Sequence, residues 1–300
     1  SLDRRQRQMC IRDRYITIDT EFLRERTYFS KLCLLQLAIP GNANENAVII
    51  DTLVDNLDLS PLYEIFENQN VVKVFHAARQ DLEIFYLDSG IFPYPLFDTQ
   101  IAAMVCGFGD QVAYETLVRQ LAKQTLDKSS RFTNWSNRPL TDAQKKYALA
   151  DVTHLRVIYE TLSKQLTENG RTSWVDEELR NLRSPETYNL DPKNSWRRLK
   201  TKSNSRRFLG LVASLAEFRE KFAQSKNIPR NRVIKDDALL ELASNRPKNL
   251  DELSKSRLLL KDARKGEIAS GLLRAIDKGL KIPDADLSLI HISEPTRPID

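Results

Sequence analysis

The chain has 300 residues, 41% hydrophobic and 29% charged, with a net charge of +5. That length buries one full core and leaves room for a second, smaller domain. No apolar run approaches the roughly 18 residues that span a bilayer, and the N-terminus lacks the apolar centre of a signal peptide, so a cytoplasmic protein without membrane contact is expected.

Both ends look foreign to the rest. Residues 6–14 (QRQMCIRDR) and 287–298 (LSLIHISEPTRP) carry no periodicity and resemble translated sequencing-adapter read-through. Segments 1–14 and 287–300 are therefore set aside from fold reasoning, with native sequence expected to continue beyond both. From Tyr15 onward, short apolar runs (YITID, LCLLQLAI, AVIID and VVKVF) read as strands buried in a sheet. Helical spacing follows in Leu82, Phe85 and Tyr86, and again in Ala148, Val152, Leu155, Ile158, Tyr159 and Leu162. Strands first and helices later indicate an α/β domain.

From Ser184 to Ser205 the texture turns polar and basic, with Pro185 and Pro192, and reads as an interdomain linker. Apolar periodicity resumes in Leu209, Val212, Leu215, Phe218 and Phe222, and DALLELA, DELSKS and IASGLLRAI continue it as short helices. A small all-helical second domain is expected. Between Lys193 and Lys235, thirteen Lys or Arg stand against two Glu, an excess of eleven that leaves −6 for the rest of a chain totalling +5. A cationic region beside an acidic body suits a polyanion held by one part and cut by another, although a solvated linker and helix face would look the same.

Cys10, Cys33 and Cys106 are odd in number and form no CxxC pair, which indicates neither a disulfide framework nor a thiolate site. The histidines are His76, His154 and His291, and His76 reads as a strand-end structural residue rather than a ligand. Any metal must rest mainly on carboxylate oxygen, which favours Mg²⁺ or Mn²⁺. Asp19 and Glu21, at the end of YITID, point to one side of a strand and repel each other unless a cation lies between them. Asp81 falls in the first turns of a helix after VVKVF, where it suits either an acid favoured by the helix dipole or one turned toward Asp19. Thr141 to Gln144 form a capping box, and in the helix they start Tyr147 and Asp151 lie one turn apart on one face. There a phenol can orient a water or simply sit beside a surface acid.

Together DTE, HAARQD and YALAD have the order and spacing of the DEDD exonuclease superfamily. With Phe97-Asp98-Thr99-Gln100, the run LDKSSRFTNWSNRPLTDAQKKYALAD and the helical region downstream, the chain resembles ribonuclease D from about Tyr15 to Asp286. Lys146 stands where the sister subgroup carries histidine, which places the sequence with the tyrosine variant. The resemblance implies an RNase H-like exonuclease domain over 15–204, with a mixed sheet flanked by helices and a linker from about 184. A helical HRDC-like nucleic-acid-binding domain over 205–286 follows from it, as does the possible loss of a second such domain.

It further implies that Asp19, Glu21, Asp81 and Asp151 hold two Mg²⁺ or Mn²⁺ ions and that Tyr147 helps position the attacking water. The implied reaction is 3′-5′ hydrolysis of RNA to nucleoside 5′-monophosphates, trimming transfer RNA precursors and other structured RNAs, in a monomer needing no protein partner. Arg79, Gln80, Lys128, Arg131 and Trp135 suit a phosphate backbone or an unstacked base, and Arg230, Arg232 and Lys235 suit phosphates at the helical domain. A DNA-directed exonuclease and a noncatalytic nucleic-acid-binding platform are the alternative readings, since preference for RNA depends on contacts to the 2′-hydroxyl that sequence does not reveal.

Overall fold

A computed structural model describes residues 14–41, 46–127, 129–131, 133–188, 191–201, 203 and 205–283. Of the end segments set aside above, Arg14 alone is described, and Cys10 and His291 lie outside the described residues. Cys33 is buried and Cys106 partly so, both as free thiols. Among the described residues no helix is long and apolar enough to cross a membrane.

The first compact unit holds the described residues to Leu23 and those from Ser30 to Tyr188. Its strands are β1 (Tyr15–Leu23), β2 (Lys31–Ala38), β3 (Ala47–Asp51), β4 (Val72–Phe75) and β5 (Leu96–Asp98), in the order β3-β2-β1-β4-β5. β1 is antiparallel to β2 and parallel to β4, so the sheet is mixed, as expected. The helices are α1 (Ser60–Glu67), α2 (Arg79–Ser89), α3 (Thr99–Val105), α4 (Tyr114–Leu117), α5 (Asp142–Glu168), α6 (Thr172–Leu182) and α7 (Pro185–Tyr188).

Period two assigns the faces of β1. Ile16 and Ile18 enter the main core with Phe75, Leu82 and Phe85, whereas Thr17, Asp19 and Glu21 share the opposite side. Tyr15, on that second side, packs with Leu155 and Tyr159 of α5. The apolar stripe of α5, Ala148, Val152, Leu155, Ile158 and Leu162, is buried throughout. The Thr141 capping box fixes where this 27-residue helix begins, and hence where Asp151 falls.

The second unit joins Arg24–Phe29 to the described residues beyond Tyr188. It contains α8 (Arg206–Lys226), α9 (Arg230–Val233), α10 (Asp236–Asn245), α11 (Leu250–Ser254) and α12 (Gly266–Leu280). α12 lies close on α8: a Cβ at Gly271 would meet the Phe218 ring at 2.1 Å, and the Ser214 hydroxyl donates to the Ala275 carbonyl at 2.7 Å. The division between the two units falls within the polar stretch from Ser184. Tyr188 belongs to the first core, while Trp196, from a 3₁₀ turn over Pro192–Arg198, packs into the second core beside buried Leu199. Apolar anchors hidden among its basic residues tie each side of the stretch to its own core.

Candidate active site

Asp19 and Glu21 project from the central strand, and Asp151 projects from α5 across the same face. Ligand oxygens of the three carboxylates lie within 4.8 Å of one another. Burial pushes Asp19 up to about 6. Burial and the charges of Asp19, Asp151 and Asp81 push Glu21 up to about 10. Asp151, 7% exposed, is raised well above the ordinary carboxylate range by burial and by Asp19, against a hydrogen bond from the Tyr147 phenol. Three acids so close cannot all ionise without a cation. The donor set is all oxygen and contains no thiolate or imidazole, so it fits a hard divalent ion such as Mg²⁺ or Mn²⁺.

Asp81 was expected as a fourth member of this set, and the structure places it beside the trio. It is buried in the first turn of α2, where its carboxylate accepts a short hydrogen bond from the Thr20 hydroxyl. Burial and the charge of Asp19 raise it well above the usual range. The turn that delivers it is built by Asp98, 2% exposed, which accepts from the backbone N–H groups of Ala77 (3.0 Å), Ala78 (2.8 Å) and Gln100 (2.7 Å). Those bonds hold Ala77 at φ 54°, an unusual conformation for alanine. The Nδ1 of His76 lies 2.9 Å from the Thr99 hydroxyl, and burial lowers its pKa.

Between α4 and α5 a cavity of about 200 Å³ is lined by Asp19, His76, Tyr114, Arg131, Tyr147 and Asp151. Tyr147 is raised by burial and then by Asp151, Glu21 and Asp19, so its phenol stays protonated and donates. Its ring lies 6.0 Å, centroid to centroid, from that of Trp135. Sequence reasoning missed Thr17, Thr20 and Tyr114, whose contacts all cross between elements distant in sequence.

A family model described as 3'-5' exonuclease matches residues 6–167, and an HRDC domain model matches residues 208–276. The chain is 63% identical over 277 residues to ribonuclease D of Jannaschia sp., covering 92% of this chain and 72% of that protein. This chain belongs to the ribonuclease D family. Ribonuclease D of Granulibacter bethesdensis is 50% identical over 279 residues, covering 93% of this chain and 70% of that one. The crystal structure of Escherichia coli RNase D, an exoribonuclease involved in structured RNA processing, superposes with a TM-score of 0.81 at 31% identity, covering 94% of this chain and 73% of that one.

Of the residues expected to meet RNA in a ribonuclease D, Arg131 lines the cavity and lowers both Asp151 and Tyr147. Arg79 and Gln80 are exposed at the start of α2. Trp135 requires correction as a platform for an unstacked base: it is 3% exposed and packed with Cys33, Leu34 and Ala148, so its ring backs Tyr147 instead. Lys128 lies outside the described residues. Arg232 and Lys235 are exposed. Arg230 is drawn inward, 3.2 Å from buried Glu220 and with its guanidinium 5.6 Å from the Tyr28 ring centroid.

Proposed function

We propose that the chain is a 3′-5′ exoribonuclease that shortens structured RNAs, transfer RNA precursors among them, by hydrolysing the terminal phosphodiester. The observation that carries this reading is the convergence of Asp19, Glu21 and Asp151 beside a cavity, with Tyr147 donating to Asp151. Asp19, Glu21 and Asp151, with Asp81 released from Thr20, would hold two divalent ions. Bound there, the ions supply charge neutralisation and Lewis acidity at the phosphodiester.

The chain's own residues do the positioning. Tyr147 keeps its proton, so it orients oxygen atoms as a donor rather than removing a proton. Arg131, at the cavity wall, faces the place where a phosphate enters, and its charge offsets the acids there. Water attacks phosphorus as the bond to the 3′ oxygen breaks. The water proton passes to solvent, the departing oxygen gains a proton, and a nucleoside 5′-monophosphate leaves. The second unit, with Arg232 and Lys235 exposed, adds phosphate contacts of its own.

The test uses a 5′-labelled transfer RNA bearing extra 3′ nucleotides and a matched DNA oligonucleotide, with Mg²⁺ or Mn²⁺, and with EDTA and Asp19→Ala as controls. Stepwise shortening of the RNA that both controls abolish is the expected result. Preferential shortening of DNA, or binding without shortening, would overturn it.

A further inference from the structure

α5 carries two of the proposed site residues, and two hydroxyls from elsewhere in the first unit grip it where Asp151 sits. The Thr17 hydroxyl donates to the Val152 carbonyl at 2.8 Å. The Tyr114 hydroxyl makes a short hydrogen bond to the Asp151 carbonyl. That bond falls on the turn of α5 that bears the carboxylate.

The two grips come from different directions and fall on consecutive carbonyls. Thr17 lies on β1 two residues before Asp19, on the same strand face, so its bond ties the helix to the strand that holds the other two acids. Tyr114 opens α4, and its ring rests against His76, centroids 5.1 Å apart, which in turn is held by Thr99. A helix seated on a sheet by apolar contacts alone retains freedom to slide and rotate by fractions of an ångström. Consecutive carbonyls pinned from two sides remove both motions at Asp151.

We infer that Thr17 and Tyr114 are positioning residues that set Asp151 at the distance from Asp19 and Glu21 that a divalent ion requires. Neither hydroxyl is among the proposed ligands of the ion; both act through the main chain of α5. The inference rests on the carboxylate cluster being the metal site, and it adds that the precision of that site comes from two neutral hydroxyls bound to main chain. Groups that orient metal ligands from behind alter metal affinity by about 10- to 100-fold when removed.

The experiment titrates Mn²⁺ into the full chain by calorimetry, without RNA, for the parent, Tyr114→Phe, Thr17→Val, Thr17→Ser and Asp151→Asn, with thermal unfolding of each in EDTA. Tyr114→Phe and Thr17→Val should each weaken Mn²⁺ about 10-fold, and Thr17→Ser, which keeps the hydroxyl, should restore affinity to within about threefold. In matched turnover assays the Mn²⁺ needed for half-maximal rate should rise while KM for RNA holds. Parent-like Mn²⁺ affinity in Tyr114→Phe and Thr17→Val, with Asp151→Asn strongly weakened, would overturn the inference and leave the site intact. Parent-like affinity in Asp151→Asn would instead overturn the site itself. Variants that melt lower but bind Mn²⁺ like the parent would show a merely structural role and would also refute it.

Discussion

Asp98 offers the sharpest test of how the first unit holds its acidic turn. Its carboxylate is 2% exposed and accepts three backbone N–H groups, two of them at the junction of β4 and α2. In Asp98→Ala all three donors lose a partner inside the fold. Hydrogen bonds to a charged group contribute about 1.5–3 kcal/mol each, but water reaching the emptied space recovers part, so a loss of about 3–5 kcal/mol is expected. Asp98→Asn keeps one oxygen for Ala77 and Gln100 and sets an amide N–H against that of Ala78, so roughly half that loss is expected. Urea unfolding followed by far-ultraviolet circular dichroism reads both. The turn also carries Asp81, so turnover of Asp98→Asn should fall at temperatures where the variant is still folded. A loss below about 1 kcal/mol in Asp98→Ala would mean that the turn is held by packing alone, and the reasoning fails.

Tyr147→Phe should lower kcat by about 10- to 100-fold with KM for RNA unchanged, because the phenol orients a ligand; an unchanged kcat in a steady-state assay would remove that role. Lys73 is fully buried and donates to the carbonyls of Asn68 (2.7 Å) and Tyr94 (2.5 Å), so Lys73→Met should cost about 2–4 kcal/mol in urea unfolding by leaving both unpaired. Trp135→Ala should cost about 3–5 kcal/mol by opening a hole behind Tyr147, and a variant of parental stability would contradict its burial. In the metal-free fold Glu21 is raised from 4.5 to about 10 and Asp19 from 3.8 to about 6, so the folded chain holds protons that the unfolded chain has lost. Their contribution to stability therefore falls as pH rises through those intervals. A divalent ion must displace these protons, so the heat of Mn²⁺ binding at pH 7 should depend on the buffer's ionisation enthalpy, and a heat independent of buffer would contradict the raised acids.

What the sequence discloses here is what local geometry determines. Asp19 and Glu21 share a strand face because side chains alternate, and Tyr147 and Asp151 share a helix face because a turn takes 3.6 residues. The capping box at Thr141 sets that register from four consecutive residues. Contacts between distant segments leave no comparable trace. Trp135 sits among Asn134, Ser136 and Asn137, a context that reads as an exposed loop, yet Leu34 and Ala148 close over it. Arg24–Phe29 follows a strand of the first unit but belongs with the second, where the Tyr28 and Phe29 N–H groups donate to the Asn227 side chain at 3.1 and 3.0 Å. The basic stretch after Ser184 conceals Trp196 and Leu199, whose burial outweighs the polar residues around them.

The acids of the site are oriented largely by groups that carry no charge. Tyr147 donates to Asp151, the Thr20 N–H donates to Asp19, and Tyr114 and Thr17 hold the main chain beneath Asp151. A lysine in any of these places would orient a carboxylate equally well, but it would also satisfy the negative charge and compete with a divalent ion for it. Hydroxyls and amides fix oxygen positions and leave the charge unspent, which is the condition under which four acids pushed far above their ordinary range retain a strong demand for a cation. The Arg131 guanidinium, which lowers Asp151 and Tyr147, lines the cavity beside the carboxylates.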